Sequence, residues 1–271
     1  MGLGLQFLPA TIAGILYAVR AHHLAGTPRA VPGWRRACFF GGLALIVVTL
    51  ASIGSLADQL FWVHMVEHLL VGDIGTLLLV LGLTGPVLAP VLRIRAFDRL
   101  RVLAHPAVAF PLWAIDLYLW HLPLLHESAV RHGAVHALQH ASFVVFGANM
   151  WMALLGPLPK PAWFGNAAKL GYIVAVRLTT TVLANIFVWT GLAFFDVYAA
   201  GERKHAISPQ SDQVVAGSIM MVEGSILTLC LFCWLFLRSA SEGQERQELL
   251  ELAAAGGVAL DERRAARAVA A

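Results

Sequence analysis

Charged residues are scarce in this chain, since Asp, Glu, Lys and Arg make up only 13% of its 271 residues. A soluble domain usually carries about 25% charged residues. Too few charged groups are therefore present to cover the surface of a soluble globule of this size. Hydrophobic residues reach 59% and the mean hydropathy is +0.73. The composition excludes a soluble domain and predicts an integral membrane protein that contacts the lipid bilayer, with no nucleic-acid partner.

Cysteine is also rare. The chain has three cysteines, Cys38, Cys230 and Cys233, and all of them lie inside apolar segments. This placement does not resemble the disulfide framework of a small secreted protein, and packing is the expected role. The first nineteen residues contain neither Lys nor Arg, so the basic start of a cleavable signal peptide is not predicted.

Long apolar segments are abundant. A membrane-spanning helix needs about 20 mainly apolar residues, and seven segments approach or exceed that length. They are 3–19, 38–57, 62–83, 106–123, 135–155, 170–195 and 214–237. We predict an all-α fold in which residues 1–238 form a seven-helix transmembrane bundle. Residues 239–271, rich in Glu, Arg and Ala, are predicted to form a cytoplasmic tail with a short amphipathic helix capped near Ser241.

The basic residues are unevenly distributed among the loops. The loops 20–37, 84–105 and 156–169 together contain ten Lys and Arg residues, whereas the alternate loops contain three. Loops rich in Lys and Arg stay on the cytoplasmic side of a bacterial membrane. We therefore predict that the N-terminus lies outside and the C-terminus lies in the cytoplasm.

Two histidine pairs, His64 with His68 and His136 with His140, are each spaced i, i+4 near the start of an apolar helix. This spacing places two imidazoles on one helix face, about 5–6 Å apart at Cβ. Imidazole is the commonest metal ligand in proteins. One histidine at a membrane interface is more often bonded to a backbone carbonyl, but two pairs at the same depth favour a shared metal site.

The topology adds further side chains to this outer layer. His121 ends the fourth span and Asp212 begins the seventh. Met220 follows Asp212 along one stripe of the seventh helix, and thioether sulfur together with imidazole favours copper(I). His126, His132 and His205 fall in predicted loops and are not expected to join the site. The predicted metal ligands are His64, His68, His121, His136, His140, Asp212 and Met220.

Three charged residues are expected near the middle of the membrane. Asp73 lies about 14 Å deeper than His64 along its helix, and Glu223 and Arg177 reach a similar depth. An isolated charge there costs at least about 2.5–3.5 kcal/mol. We therefore expect Arg177 to pair with Glu223 or Asp73.

Other chemistries remain open from the residues alone. The segment His64-Met65-Val66-Glu67-His68 matches H-x-x-E-H, in which Glu is the general base of a zinc protease. A zinc-dependent membrane hydrolase is therefore the leading alternative. Haem ligation by histidines of the third and fifth spans and proton-coupled transport are weaker alternatives.

The chain resembles the CtaG-type family of cytochrome c oxidase assembly proteins over most of residues 55–237. The resemblance rests on an ordered set of blocks: HMVEHLL at 64–70, LGLTGP at 81–86, HP at 105–106, WHLP at 120–123, HALQHASF at 136–143, DQVVAG at 212–217 and MM at 220–221. The sequence departs from the family pattern at 71–73 and at Glu223.

The resemblance implies an assembly factor for a haem–copper oxidase that lies in the bacterial inner (plasma) membrane. It carries functional roles over to His64, His68, His121, His136, His140 and Asp212. We expect a non-enzymatic protein that binds a copper ion, as copper(I), at its outer face. The expected partner is a cytochrome c oxidase subunit that receives the copper. The sequence is also compatible with a homo-oligomer.

Overall fold

The computed structural model describes residues 7–94 and 100–269. The fold is all-helical, with 81% helix and no strand among the described residues. Residues 3–6 of the first predicted span lie outside the described residues, as do Arg95 and Arg99, which contributed to the predicted orientation.

The first part of the chain forms a helical hairpin followed by a composite helix and a short returning helix. Its helices are α1 (Leu8–Leu24), α2 (Gly33–Ser52), α3 (Gly54–Ala57), α4 (Phe61–His68), a π-helical segment (Leu69–Gly75), α5 (Thr76–Gly82) and α6 (Gly85–Leu92). After the gap the helices are α7 (Pro106–Trp120), α8 (Pro123–Arg131), α9 (Gly133–Leu154), α10 (Asn166–Trp189), α11 (Ala199–Lys204), α12 (Pro209–Ala255) and α13 (Glu262–Val269). Short 3₁₀ turns lie at Leu100–Ala104 and Asp196–Tyr198.

Proline sets the start of several of these helices. Pro106, Pro123 and Pro209 each occupy the first helical turn, where the missing N–H has no helical partner to lose. At the start of α12 the Ser208 hydroxyl also accepts a hydrogen bond from the backbone N–H of Ser211 at 3.1 Å. These local signals fix where α7, α8 and α12 begin.

Four helices are long and apolar enough to cross a membrane, or five if the bent pair α7 and α8 is counted as one span. The four are α2, the composite helix Phe61–Gly82, α10 and α12. Helix α1 is shorter, with 17 residues. Helix α9 has 22 residues but contains His136, Gln139, His140 and Asn149, which lower its hydropathy. The count of seven spans and the predicted orientation therefore stay predictions.

The composite helix Phe61–Gly82 corresponds to the third predicted span. Its middle is the π-helical segment, which begins directly after His68. Two glycines allow close packing around this segment: a Cβ on Gly75 would lie 2.7 Å from Ile46 Cγ1, and one on Gly147 would overlap the carbonyl oxygen of Gly72. A π-helical turn within an α-helix frequently marks a functional site.

The fourth predicted span, 106–123, ends in a sharp bend. Helices α7 and α8 meet at 71° around a short break that contains His121. Pro123 disfavours helical geometry for the residue before it, which explains why α7 ends at Trp120. Helix α8 then packs against α9, so the segment after the break returns to the bundle instead of forming an open loop.

Helix α12 extends far beyond the seventh predicted span. It runs for 47 residues without a break, about 70 Å, and passes through the predicted boundary at residue 238. The prediction of a separate tail helix capped by Ser241 is wrong, because the residues around it continue α12. The helix ends at Ala255, where Gly257 adopts a positive φ of 67° that an L-residue with a side chain rarely accepts.

The arginines and the paired histidines lie at opposite ends of the composite helix. Arg20 donates to the carbonyl oxygen of Pro86, and Arg35 donates to the carbonyl oxygens of Leu81 and Leu83. His64 lies seventeen residues before Leu81, about 25 Å along the helix axis. His64 and the arginine contacts at Leu81 and Leu83 are thus separated by most of the length of this helix.

Candidate metal centre

Helix α4 provides the first histidine pair. The imidazole centroids of His64 and His68 lie 4.2 Å apart, as expected for neighbouring positions on one helix face. His64 is 0% exposed and His68 is 7% exposed. The predicted register is therefore confirmed, and both rings face the interior of the bundle.

Helix α9 provides the second pair and presents it to the first. The centroids of His136 and His140 lie 4.2 Å apart. The rings of His64 and His136 stack at 5.1 Å, and those of His68 and His140 lie 5.6 Å apart. Two helices that are separated by more than sixty residues in sequence thus bring four imidazoles into one layer.

The potential ligand atoms are close enough to share an ion. His64, His68 and His136 each offer a nitrogen within 4.8 Å of the other two, and Glu67, His136 and His140 form a second set of this kind. A metal bonded to nitrogen at about 2.0–2.1 Å places its ligand atoms roughly 3–4 Å apart. Small side-chain rotations would therefore close either set around a metal.

These side chains lack hydrogen-bond partners within the described part of the chain. Both ring nitrogens of His64 and of His68 are buried without a partner, as are Nε2 of His136, Nε2 of His140 and Oε2 of Glu67. Each unsatisfied buried polar group costs about 1–3 kcal/mol. A bound cation would satisfy several of these atoms at once, so the donor set fits a metal.

His121 joins the layer from the break between α7 and α8. Its Nδ1 lies 2.6 Å from the carbonyl oxygen of Leu117, and its Nε2 lies 3.3 Å from Sδ of Met65. An Nδ1–H that donates to a carbonyl leaves Nε2 free to act as a ligand. Met65 is 1% exposed, so the structure places a buried thioether beside a buried imidazole.

His126 belongs to the cluster, although the sequence placed it in a loop. It lies on α8, is 0% exposed, and its ring centroid is 4.7 Å from that of His64. Its Nε2 lies 2.8 Å from the Tyr198 hydroxyl oxygen. The loop interpretation is wrong because the bend before α8 returns this helix to the bundle. In contrast, His132 and His205 are exposed.

Tyr198 fixes the position of His126 from outside the spanning helices. Burial raises the pKa of the Tyr198 phenol well above its ordinary value, and neighbouring carboxylates, Asp212 first among them, raise it further. The hydroxyl therefore keeps its proton and can donate it to Nε2 of His126. The sequence signal for the helix that contains His126 was Pro123, which occupies the first turn of α8.

Asp212 supports the layer through the backbone of α4. Its two carboxylate oxygens accept hydrogen bonds from the backbone N–H groups of Phe61 and Trp62, at 2.9 and 2.8 Å. These are among the N–H groups that a helix leaves without an internal partner. The observed contacts of Asp212 are thus with the helix that carries His64 and His68.

Met220 lies in the apolar packing around the histidines. It is 4% exposed and shares a buried cluster with Phe61, Met65, Phe187 and Tyr198. The apolar groups shield the imidazoles from water, which strengthens electrostatic interactions inside the site. Met65 is the thioether that contacts a histidine nitrogen directly.

The surroundings of Glu67 do not match those of the general base in a zinc protease. Its side chain is 1% exposed, and its Oε2 lies 3.9 Å from Nε2 of both His136 and His140. A general base needs access to a metal-bound water and to substrate. A carboxylate enclosed between two histidines matches the role of a ligand or of a histidine-orienting group better.

The charged residues that were expected near the membrane centre form a separate polar group. Asp73, Arg177 and Glu223 line one small cavity of about 30 Å³. Arg177 donates from Nη2 to the Ser225 hydroxyl at 2.7 Å, and Trp151 donates from Nε1 to Asp73 Oδ1 at 3.0 Å. The predicted ion pair of Arg177 with Glu223 or Asp73 is not found among the described residues, and Arg177 instead bonds to Ser225.

Fold and site together define an all-helical protein with helices suited to a membrane and a buried histidine cluster suited to a metal ion. A family model described as cytochrome c oxidase caa3 assembly factor (Caa3_CtaG) matches residues 15–242. The chain belongs to this family, as the resemblance in the sequence predicted.

Two curated relatives match the chain at low sequence identity. An uncharacterized protein of Mycobacterium leprae is 25% identical over 186 residues, which cover 61% of this chain and 27% of that protein. An uncharacterized protein of Mycobacterium tuberculosis is 27% identical over 187 residues, which cover 60% of this chain and 28% of that protein. The aligned part thus covers little more than a quarter of each relative. No solved structure matches the chain.

Proposed function

We propose that this chain is a membrane-bound assembly factor for a haem–copper cytochrome c oxidase. In this proposal it binds copper at the buried histidine cluster and delivers the ion to an oxidase subunit. Family membership supports the assembly role. The observation that carries the copper role is the buried layer of imidazoles whose nitrogens have no other partner among the described residues.

The donor set favours copper(I) over harder ions. Imidazole binds copper and zinc, whereas thioether sulfur selects copper(I). Met65 Sδ lies 3.3 Å from His121 Nε2, and Met220 packs in the same cluster. We propose His64, His68, His136 and His140 as the principal ligands. His121 and Met65 are proposed as further ligands that can replace one of these. Asp212 and Met220 then complete and support the site.

Delivery needs a site that binds an ion well and still exchanges ligands. The cluster offers more imidazoles than one ion needs, so an incoming ligand from the oxidase can replace one imidazole before the others leave. This role requires the histidine layer to lie near the outer face, in agreement with the proposed seven-span topology. It involves no bond-making on an organic substrate, so we propose a non-enzymatic function.

Copper retention by purified protein tests the proposal. Protein in detergent is loaded with copper(I) under reducing conditions, desalted and analysed for metal content. The double variant H64A/H68A should retain copper about tenfold less well or worse than wild type. The matched control H132A/H205A removes two exposed histidines and should retain copper like wild type. Equal retention by both double variants would contradict the site.

The same preparations test the zinc hydrolase. The enzyme would hold zinc in preference to copper and show peptidase activity that E67Q abolishes. For the assembly factor, membranes from cells that express H64A/H68A should contain oxidase with less copper than membranes from cells that express H132A/H205A.

A further inference from the structure

The two potential ligand sets overlap at one residue. His64, His68 and His136 form an all-imidazole set, and Glu67, His136 and His140 form a set with one carboxylate. In each set every ligand atom lies within 4.8 Å of the others. His136 is therefore placed to contact an ion in either position.

The two sets also differ in exposure. The all-imidazole set contains His64, which is 0% exposed, and His68, which is 7% exposed. In the carboxylate set the His140 side chain is 12% exposed and that of Glu67 is 1% exposed, while the side chain of the shared His136 is 17% exposed. We call the first set the inner position and the second the outer position.

Charge also distinguishes the outer position. Asp58 is exposed in the short connection before α4, and its charge acts on both His136 and Glu67. Glu67 is 1% exposed, and its unpartnered Oε2 lies 3.9 Å from each outer histidine. Carboxylates raise the local concentration of cations around them. An arriving or departing ion is therefore favoured at the outer position.

We propose that the copper ion occupies these two positions in turn and moves between them while it remains bound to His136. This inference rests on the proposed function. In the inward step the bonds from copper to Glu67 and to His140 break, and bonds to His64 and His68 form. The bond to His136 persists, and the step exchanges ligands on copper(I) without transfer of an electron.

Ligand chemistry gives the step a direction. Three imidazoles suit copper(I), whereas a carboxylate suits harder ions. Copper(I) should thus bind more tightly at the inner position and exchange faster from the outer one. The ion is therefore stored at the inner position and released to the recipient from the outer position.

Removal of the outer ligands tests this path. In E67Q and H140A the inner set is intact, so each variant should retain more copper than H64A/H68A does. Release of copper(I) to a soluble chelator, followed by stopped-flow absorbance, should become slower by about tenfold. H136A removes the shared ligand and should weaken retention and alter release together. H132A is the matched control and should behave like wild type in both measurements.

Three results would overturn the path. Release from E67Q and H140A could be as fast as from wild type or faster. Both variants could lose copper as completely as H64A/H68A, which would indicate one undivided site. Wild type could bind two copper ions at once with both sets filled. Failure of the proposed function is distinguishable, because wild-type protein would then retain no copper. Size-exclusion profiles that match wild type establish that the variants are folded.

Discussion

Asp212 Oδ2 accepts a hydrogen bond from the backbone N–H of Phe61 at 2.9 Å, across a sequence separation of 151 residues. This contact joins the start of α12 to the first turn of α4, three residues before His64. The carboxylate therefore helps to set the position of the helix that carries the first histidine pair. A residue expected to bind metal directly also supports the ligands through the backbone.

Replacement of Asp212 should destabilise the protein and loosen the site. In D212A the backbone N–H groups of Phe61 and Trp62 lose their acceptors, which we expect to cost about 1–2 kcal/mol, as for a lost helix cap. The thermal midpoint in detergent should fall, and copper retention should fall with it. D212N keeps one carbonyl acceptor and should show a smaller loss.

Ser218 on the same helix provides the control for this prediction. Its hydroxyl is exposed and donates only to the carbonyl oxygen of Val214 in the preceding turn. S218A should leave both the midpoint and copper retention close to wild type. A midpoint for D212A equal to that of S218A would show that the contact with α4 contributes nothing to stability.

Gly147 should tolerate no side chain. A Cβ at this position would overlap the carbonyl oxygen of Gly72 and lie 3.1 Å from Thr76 Oγ1. G147A must therefore separate α9 from the π-helical segment, at a cost of about 1–3 kcal/mol. Because these two elements carry or adjoin both histidine pairs, we expect a lower thermal midpoint together with weaker copper retention.

Gly171 is the matched position, since it also lies within a long helix but a Cβ added there would have no neighbouring atom within 4 Å. In a helix interior, alanine is more favourable than glycine by about 0.5–1 kcal/mol. G171A should thus keep or raise the midpoint. If G147A and G171A unfold at the same temperature, close packing at Gly147 is not needed.

Lys160 should give the protein a measurable dependence of stability on pH. It lies between α9 and α10 and donates to the carbonyl oxygen of Met152. Burial, followed by the charge of Lys169, lowers the pKa of Lys160 from 10.5 to about 8. Between these two values the unfolded chain binds more protons than the folded one, so stability should rise as pH increases from about 8 to 10.5.

K160Q removes this titration but keeps a polar side chain. The thermal midpoint of wild type, measured in detergent across that pH window, should increase relative to that of K160Q. Other groups, such as tyrosines, titrate in both proteins and cancel in the difference. A constant difference between the two midpoints across the window would contradict the lowered pKa.

Local sequence patterns predicted much of the site. The i, i+4 spacing of the histidine pairs fixes their shared face through helix geometry alone, and both pairs are found as expected. The apolar runs likewise identified helices suited to a membrane, because lipid permits only backbone that is internally hydrogen-bonded. The family resemblance came from the same ordered blocks.

Local patterns failed where the outcome depended on packing between distant segments. His126 follows a proline and appeared to lie in a loop, but α8 packs against α9 and buries it. Ser241 matched a helix cap, yet α12 continues through it. At His126 the energy of packing and burial outweighs the local preference. Around Ser241 the chain is largely exposed, and the strong helix formers that follow it continue α12.

The sequence alone determined the class of protein, the apolar segments and the register of each histidine pair, since these depend on composition and on contacts within one helix. Only the tertiary structure decided which pair faces which and that His126 joins them. It also placed Glu67 between His136 and His140 and set Asp212 against α4. These relationships join residues far apart in the chain, and they exist because burial of one helix face against another selects a single arrangement of the bundle.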